Sequence, residues 1–160
     1  MEEKSAMEDR SAVEERNTEE RKNFNWPWPD VPAATLLKKA RAVAERAYAP
    51  YSNFKVGAAL LMSDGGIVLG CNVENSSYSM TLCAEMSAIA GMISIGHLDP
   101  VAIAVAGGKS STPCPPCGAC RQILAEFNPD MQVVLESPNR IIVMTVNELL
   151  PLSFSLTERK

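Results

Sequence analysis

The chain has 160 residues, 46% of them hydrophobic and 21% charged, and carries a net charge of -4. That is chain enough for one domain with its own core and no disulfide support, and no apolar run approaches the ~20 residues of a membrane span. The acidic balance argues against a polynucleotide partner, which requires a basic stripe, and the charged N-terminus lacks the apolar stretch of a secretory signal.

Residues 1–22 carry a degenerate six-residue repeat, MEEKSA-MEDRSA-VEERNT-EERK, with eight acidic and five basic side chains. Apolar residues six apart rotate around a helix and form no stripe, so this segment is expected to be disordered or a fluctuating solvated helix. Phe24-Asn25-Trp26-Pro27-Trp28-Pro29 follows, and Pro after each Trp favours extended backbone. The tryptophans are expected to pack this linker against the body of the protein. The chain thus divides into an N-terminal extension, 1–29, and a folded domain, 30–160.

Asp30 is expected to cap a helix starting near Val31-Pro32, with Leu36, Leu37, Ala40, Val43, Ala44 and Ala47 at helical spacing before Pro50. Residues 54–62 and 67–73 read as strands joined by an Asp64-Gly65-Gly66 turn. A helix is expected over 83–95, with Ala84, Ala88, Ile89, Met92 and Ile93 on one side. The apolar run 101–106 reads as a buried central strand, and a second helix covers about 118–127. Strands at 131–135 and 141–144 precede a last helical turn capped by Thr145 and stopped near Pro151. The order α-β-β-α-β-α-β-β-α describes an α/β fold, a three-layer α-β-α sandwich around a mixed five-stranded sheet.

Two motifs carry the chemistry: Cys83-Ala84-Glu85 and Pro116-Cys117-Gly118-Ala119-Cys120. Structural zinc sites use four protein ligands, whereas catalytic ones use three and keep a position for water. Cys83, Cys117 and Cys120 supply three, and Glu85 can lie beside the metal as a proton shuttle without binding it. Both motifs fall where a loop enters a helix, and a helix N-terminus favours thiolate over thiol. The competing interpretation is a closed structural knot with Cys114 as fourth ligand. Pro115 and Pro116 hold that segment extended, so Cys114 is expected to be a loop thiol. Cys71 is expected to be a small buried residue in its strand, and His97 a solvated cap after Gly96. Three required thiolates among five cysteines fit a reducing compartment, hence the cytoplasm. The compound pattern is that of the zinc deaminases, C-x-E or H-x-E followed by P-C-x-x-C.

Over roughly residues 33–155 the chain resembles the small homotetrameric cytidine deaminases of pyrimidine salvage. The resemblance rests on Pro50-Tyr51-Ser52-Asn53-Phe54 with Val56-Gly57-Ala58-Ala59-Leu60, on Gly70-Cys71-Asn72-Val73-Glu74-Asn75 with Tyr78, on the zinc motifs, and on Glu148-Leu149-Leu150-Pro151 with Phe154. It implies one Zn²⁺ per subunit and hydrolytic deamination of cytidine and 2′-deoxycytidine to uridine and 2′-deoxyuridine, with release of ammonia. Nearest to this is deamination of a nucleoside analogue such as blasticidin S. The resemblance further implies that Asn72 and Glu74 bind the ribose 3′-hydroxyl, that Phe54 stacks on the pyrimidine, and that Ala84 and Phe154 contact substrate. Phe154 would reach a neighbouring subunit's site. Taken alone, Asn72 and Glu74 could equally satisfy a turn. Met86 stands where three-cysteine members commonly place an Arg that offsets the thiolate charge, which leaves Arg121 as the candidate for that task.

Overall fold

The computed structural model describes residues 26–108 and 112–156; the repeat and Phe24-Asn25 lie outside them. In chain order the elements are α1 (Ala33–Ala44), β1 (Val56–Met62), β2 (Ile67–Cys71), a 3-10 turn (Tyr78–Met80), α2 (Ala84–Ser94), β3 (Pro100–Gly107), α3 (Gly118–Phe127), β4 (Gln132–Ser137), β5 (Arg140–Thr145) and α4 (Val146–Leu149). This is the expected order with one short turn added, too brief to have a readable period. The sheet runs β2-β1-β3-β4-β5. Only β3 and β4 are parallel, and α3 makes the crossover between them.

The third strand in that order, β3, is central, and β1 and β3 are buried on both faces. That is why both read as unbroken apolar runs without alternation. Alternation reappears in what each residue touches. Ala58, Leu60, Ile103, Val105, Val133 and Leu135 face α2, α3 and α4, while Ala59, Leu61, Ala102, Ala104, Ala106 and Val134 face α1. Burying Leu36 and Leu37 of α1 stabilises that second face by about 1.5–3 kcal/mol each.

Local signals behave as chemistry directs, with three corrections. Asp30 does not cap α1. Pro32 occupies the N-cap, and its carbonyl accepts from Thr35 N–H at 2.8 Å and Leu36 N–H at 3.2 Å. Ala47 lies past the helix end at Ala44. Ile93, in the last turn of α2, is 47% exposed although Ile89 one turn earlier is buried, while Glu85 turns inward. The Asp64-Gly65-Gly66 turn forms, with Gly65 at φ 87° and the Asp64 carboxylate accepting from Gly66 N–H at 2.8 Å. Thr145 and Glu148 make a reciprocal capping box on α4. Trp26 and Trp28 meet edge to face at 5.0 Å and pack against the α1-side core. Among the described residues no helix is long and apolar enough to cross a membrane.

Two glycines let the helices sit on the sheet. A Cβ on Gly57 would lie 2.1 Å from the Ala40 carbonyl oxygen of α1, and one on Gly70 would lie 2.3 Å from that of Ala84 and 2.4 Å from Ala88 N in α2. Gly70→Ala must therefore push back the helix that starts at Cys83. The expected cost is about 1–3 kcal/mol, read as a fall in melting temperature; an unchanged melting temperature would mean that α2 retreats freely.

Candidate active site

The Sγ atoms of Cys83, Cys117 and Cys120 all lie within 4.8 Å of one another. Cys83 is the N-cap of α2, Cys117 is the N-cap of α3, and Cys120 falls in the first turn of α3. The Cys83 side chain makes no cap bond to its own helix, and the Cys117 sulfur faces the Ala119 and Cys120 N–H groups at the start of α3. A tetrahedral zinc ion with Zn–S bonds of about 2.3 Å needs sulfurs roughly 3.8 Å apart, which this cluster meets with small adjustment. Cys114 is not in the cluster; its half-buried sulfur packs beside Gly107.

The thiols influence one another strongly. Burial pushes Cys83 up, and the neighbouring Cys117 and Glu85 charges add to that. Burial also pushes Cys120 far up, reinforced by Glu85 and Cys83. Cys117 goes the other way: burial opposes ionisation, but hydrogen bonds from the Cys120 and Ala119 backbone and from the Cys120 and Cys83 thiols outweigh it. Without a cation between them, the three cannot all be thiolates. Glu85, in the first turn of α2, is buried, and desolvation raises its carboxyl above the usual carboxylate range, against weaker lowering by its backbone and Cys120.

Arg121 donates Nε to the Pro116 carbonyl at 2.8 Å and Nη1 to the Leu149 carbonyl at 2.9 Å. Its hydrogen bonds thus hold the backbone that leads into Cys117, and any charge compensation reaches the sulfurs through space. The next residue, Gln122, donates to the Phe154 carbonyl at 2.9 Å, docking the C-terminal segment on the same helix. Phe154 itself is 69% exposed.

Asn72 and Glu74 are buried beside this centre. Val73 between them makes a two-way backbone bridge to Leu82, the neighbour of Cys83. Asn72 Oδ1 accepts from Val56 N–H at 2.8 Å and its Nδ2 donates to the Phe54 carbonyl at 2.9 Å. Glu74 Oε2 accepts from Tyr51 N–H at 2.8 Å and Ser52 N–H at 3.2 Å, and Oε1 accepts from the Ser52 hydroxyl. The Ser52 hydroxyl is the largest influence holding the Glu74 carboxyl below its ordinary value; burial opposes it, and the two N–H groups assist. Both side chains therefore clamp the 51–56 loop that carries Phe54. The Phe54 ring is half-exposed and lies on Gly107-Gly108, where a Cβ on Gly108 would come within 2.6 Å of it. The Ser52–Glu74 bond and the Gly107-Gly108 seat are not legible in the sequence, although a Gly pair at a strand end is the kind of signal that marks such a close approach.

His97 lies away from the cysteines, its ring nitrogens 3.9 Å from Asp64 and 3.7 Å from Asp99 carboxylate oxygens. Cys71 is half-buried at the end of β2, and Ser87 Oγ donates to its carbonyl at 3.0 Å. Ala84 is wholly buried and Met86 partly so.

The family model described as the cytidine and deoxycytidylate deaminase zinc-binding region matches residues 32–136. A cytidine deaminase of Halalkalibacterium halodurans is 50% identical over 122 residues, covering 75% of this chain and 92% of that one. One from Mycobacterium tuberculosis is 42% identical over 130 residues, covering 81% and 95%. The crystal structure of a cytidine deaminase from Burkholderia pseudomallei superposes with a TM-score of 0.72 at 45% identity, over 76% of this chain and 98% of that one. The sulfur cluster makes a direct metal prediction. Cys117→Ser is expected to lose most of the bound zinc by elemental analysis, while Cys114→Ser keeps it; loss of zinc in Cys114→Ser would make Cys114 a ligand.

Proposed function

The chain belongs to the zinc-dependent cytidine and deoxycytidylate deaminase family, and on that footing we propose that it hydrolyses cytidine and 2′-deoxycytidine to uridine and 2′-deoxyuridine, releasing ammonia. The observation that carries this reading is buried Glu85, one turn into a helix whose N-cap is a cysteine of the three-sulfur cluster. Cys83, Cys117 and Cys120 would hold one zinc ion, and that ion would supply Lewis-acid activation of a water at the site. Glu85 takes a proton from the attacking water and delivers it to N3 of the pyrimidine as C4 is attacked, then takes the remaining proton from the new C4 hydroxyl and passes it to the departing amino group. The C4–N bond breaks and a C4 carbonyl replaces it. General acid–base transfer of this kind is worth ~10²–10⁴ in rate. The raised Glu85 carboxyl suits a group that must carry a proton as well as release it.

Phe54 stacks on the base from its seat on Gly107-Gly108, and Ala84 N–H, unpartnered within α2 as a first-turn donor, faces the substrate. Asn72 and Glu74 receive the ribose 3′-hydroxyl with the hydrogen-bonding capacity that the loop leaves them. Arg121 supports the cluster through the Pro116 backbone. Phe154, Tyr78 and Met80 are each about two-thirds exposed and apolar, which supports a homotetramer whose active sites are completed by a neighbour's Phe154. Residues 1–29 form an extension to the catalytic domain 30–160, and the reaction belongs to cytoplasmic pyrimidine salvage.

Two measurements check this. Zinc-loaded protein mixed with cytidine should lose the cytidine absorbance band, and Glu85→Gln should retain zinc and fold but show no loss; silence from the wild type would overturn the reading. Sedimentation of the full chain and of a variant lacking residues 1–22 should give a tetramer with equal turnover in both, and a monomer that turns over would remove the intersubunit site.

A further inference from the structure

The hydrogen bonds around Glu74 assign a task to a residue that contacts neither metal nor base. A carboxylate offers about four lone-pair sites. Glu74 Oε2 takes two N–H groups, from Tyr51 and Ser52, and Oε1 takes the Ser52 hydroxyl, leaving one site. All three donors come from one short loop. Its path is set by Asn53, which adopts a left-handed φ of 55° and donates N–H to the Ala49 carbonyl at 3.1 Å. Asn tolerates that conformation better than most residues. The far end of the loop is pinned by Asn72, which is committed to Phe54 and Val56. Little of Glu74 is exposed, and its three hydrogen bonds to the loop are partly buried.

We propose that Ser52 is a positioning residue for sugar recognition: its hydroxyl orients Glu74 so that a single carboxylate lone pair remains, directed at the 3′-hydroxyl of the nucleoside. This rests on the reading above that Glu74 binds that hydroxyl. Ser52 Oγ also accepts from Phe54 N–H at 3.0 Å, but that bond is at the exposed surface, where water replaces a lost acceptor. The Ser52–Glu74 bond is partly buried and charged, and its loss leaves the carboxylate held through Oε2 alone, so that Oε1 is no longer fixed toward the sugar. Discrimination by the 3′-hydroxyl therefore depends on Ser52, although Ser52 does not touch it.

The test compares cytidine with 3′-deoxycytidine in wild type, Ser52→Ala, Ser52→Thr and Glu74→Gln, with melting temperature followed throughout. Ser52→Ala should raise KM for cytidine about tenfold with kcat little changed, the size expected for one hydrogen bond to a charged group. It should leave 3′-deoxycytidine kinetics within about twofold. Ser52→Thr, which keeps the hydroxyl, should restore the cytidine value. Equal losses on both substrates in Ser52→Ala would make Ser52 merely structural and overturn the proposal. If Glu74→Gln discriminates between the two nucleosides and Ser52→Ala does not, the proposal fails while the sugar-binding reading stands. If Glu74→Gln lowers both alike, that reading fails first. Should Ser52→Ala not fold, Ser52→Cys keeps the volume, weakens the donor, and gives the same readout.

Discussion

Three sulfurs within 4.8 Å of one another are a standing electrostatic problem, and much of the architecture serves its solution. Burial makes two of the thiols reluctant to ionise, while backbone N–H groups at a helix start draw the third toward thiolate. A cation reconciles the three, at the cost of protons released on binding. Delivering the sulfurs to one point requires two helix N-termini to converge. That in turn requires α2 to approach β2 closely enough that only glycine fits at position 70. Arg121 fixes the approach from the other side by holding Pro116 and Leu149 together. Each of these is a backbone arrangement, which is why the centre needs so few polar side chains.

Beside the sulfurs stands a second arrangement of opposite character. Asn72 and Glu74 are spent mostly on a loop, and the loop presents Phe54 half-exposed where an aromatic ring would ordinarily be sought in the core. A flat apolar ring held by its backbone on a glycine floor can receive a planar base without first rearranging. Recognition of this kind relies on preorganisation more than on contact area. The polar groups set where the ring stands, and the ring is left half-exposed.

The sequence discloses this molecule unevenly, for physical reasons. Sheet and helix order follow from periodicity and turn chemistry, both local, and the metal ligands follow from a spacing that few other uses share. Asp30 misleads because a proline two residues later can serve as N-cap through its carbonyl alone. Ile93 misleads because a mostly apolar helix has a poorly defined face, and its buried side is decided by where the sheet lies. One partner of Arg121 sits 28 residues away along the chain and those of Glu74 sit 22 and 23 away, too far for a local reading of the sequence to pair them. A family resemblance supplies the residues in such cases, but only coordinates supply the bonds.

All five cysteines are free thiols, so no covalent crosslink ties this fold. The pair formed by Cys83 and Cys117 nonetheless spans 34 positions (117 − 83), and the whole of the central strand β3 lies between them. A bridge that closes a loop of that length removes about 3–4 kcal/mol of freedom from the unfolded ensemble in the chain-entropy account. A shared ion therefore acts on the polymer as well as on the substrate. The loop so closed contains the strand on which both halves of the sheet are hung, so stripping the metal is expected to loosen the fold as well as the chemistry.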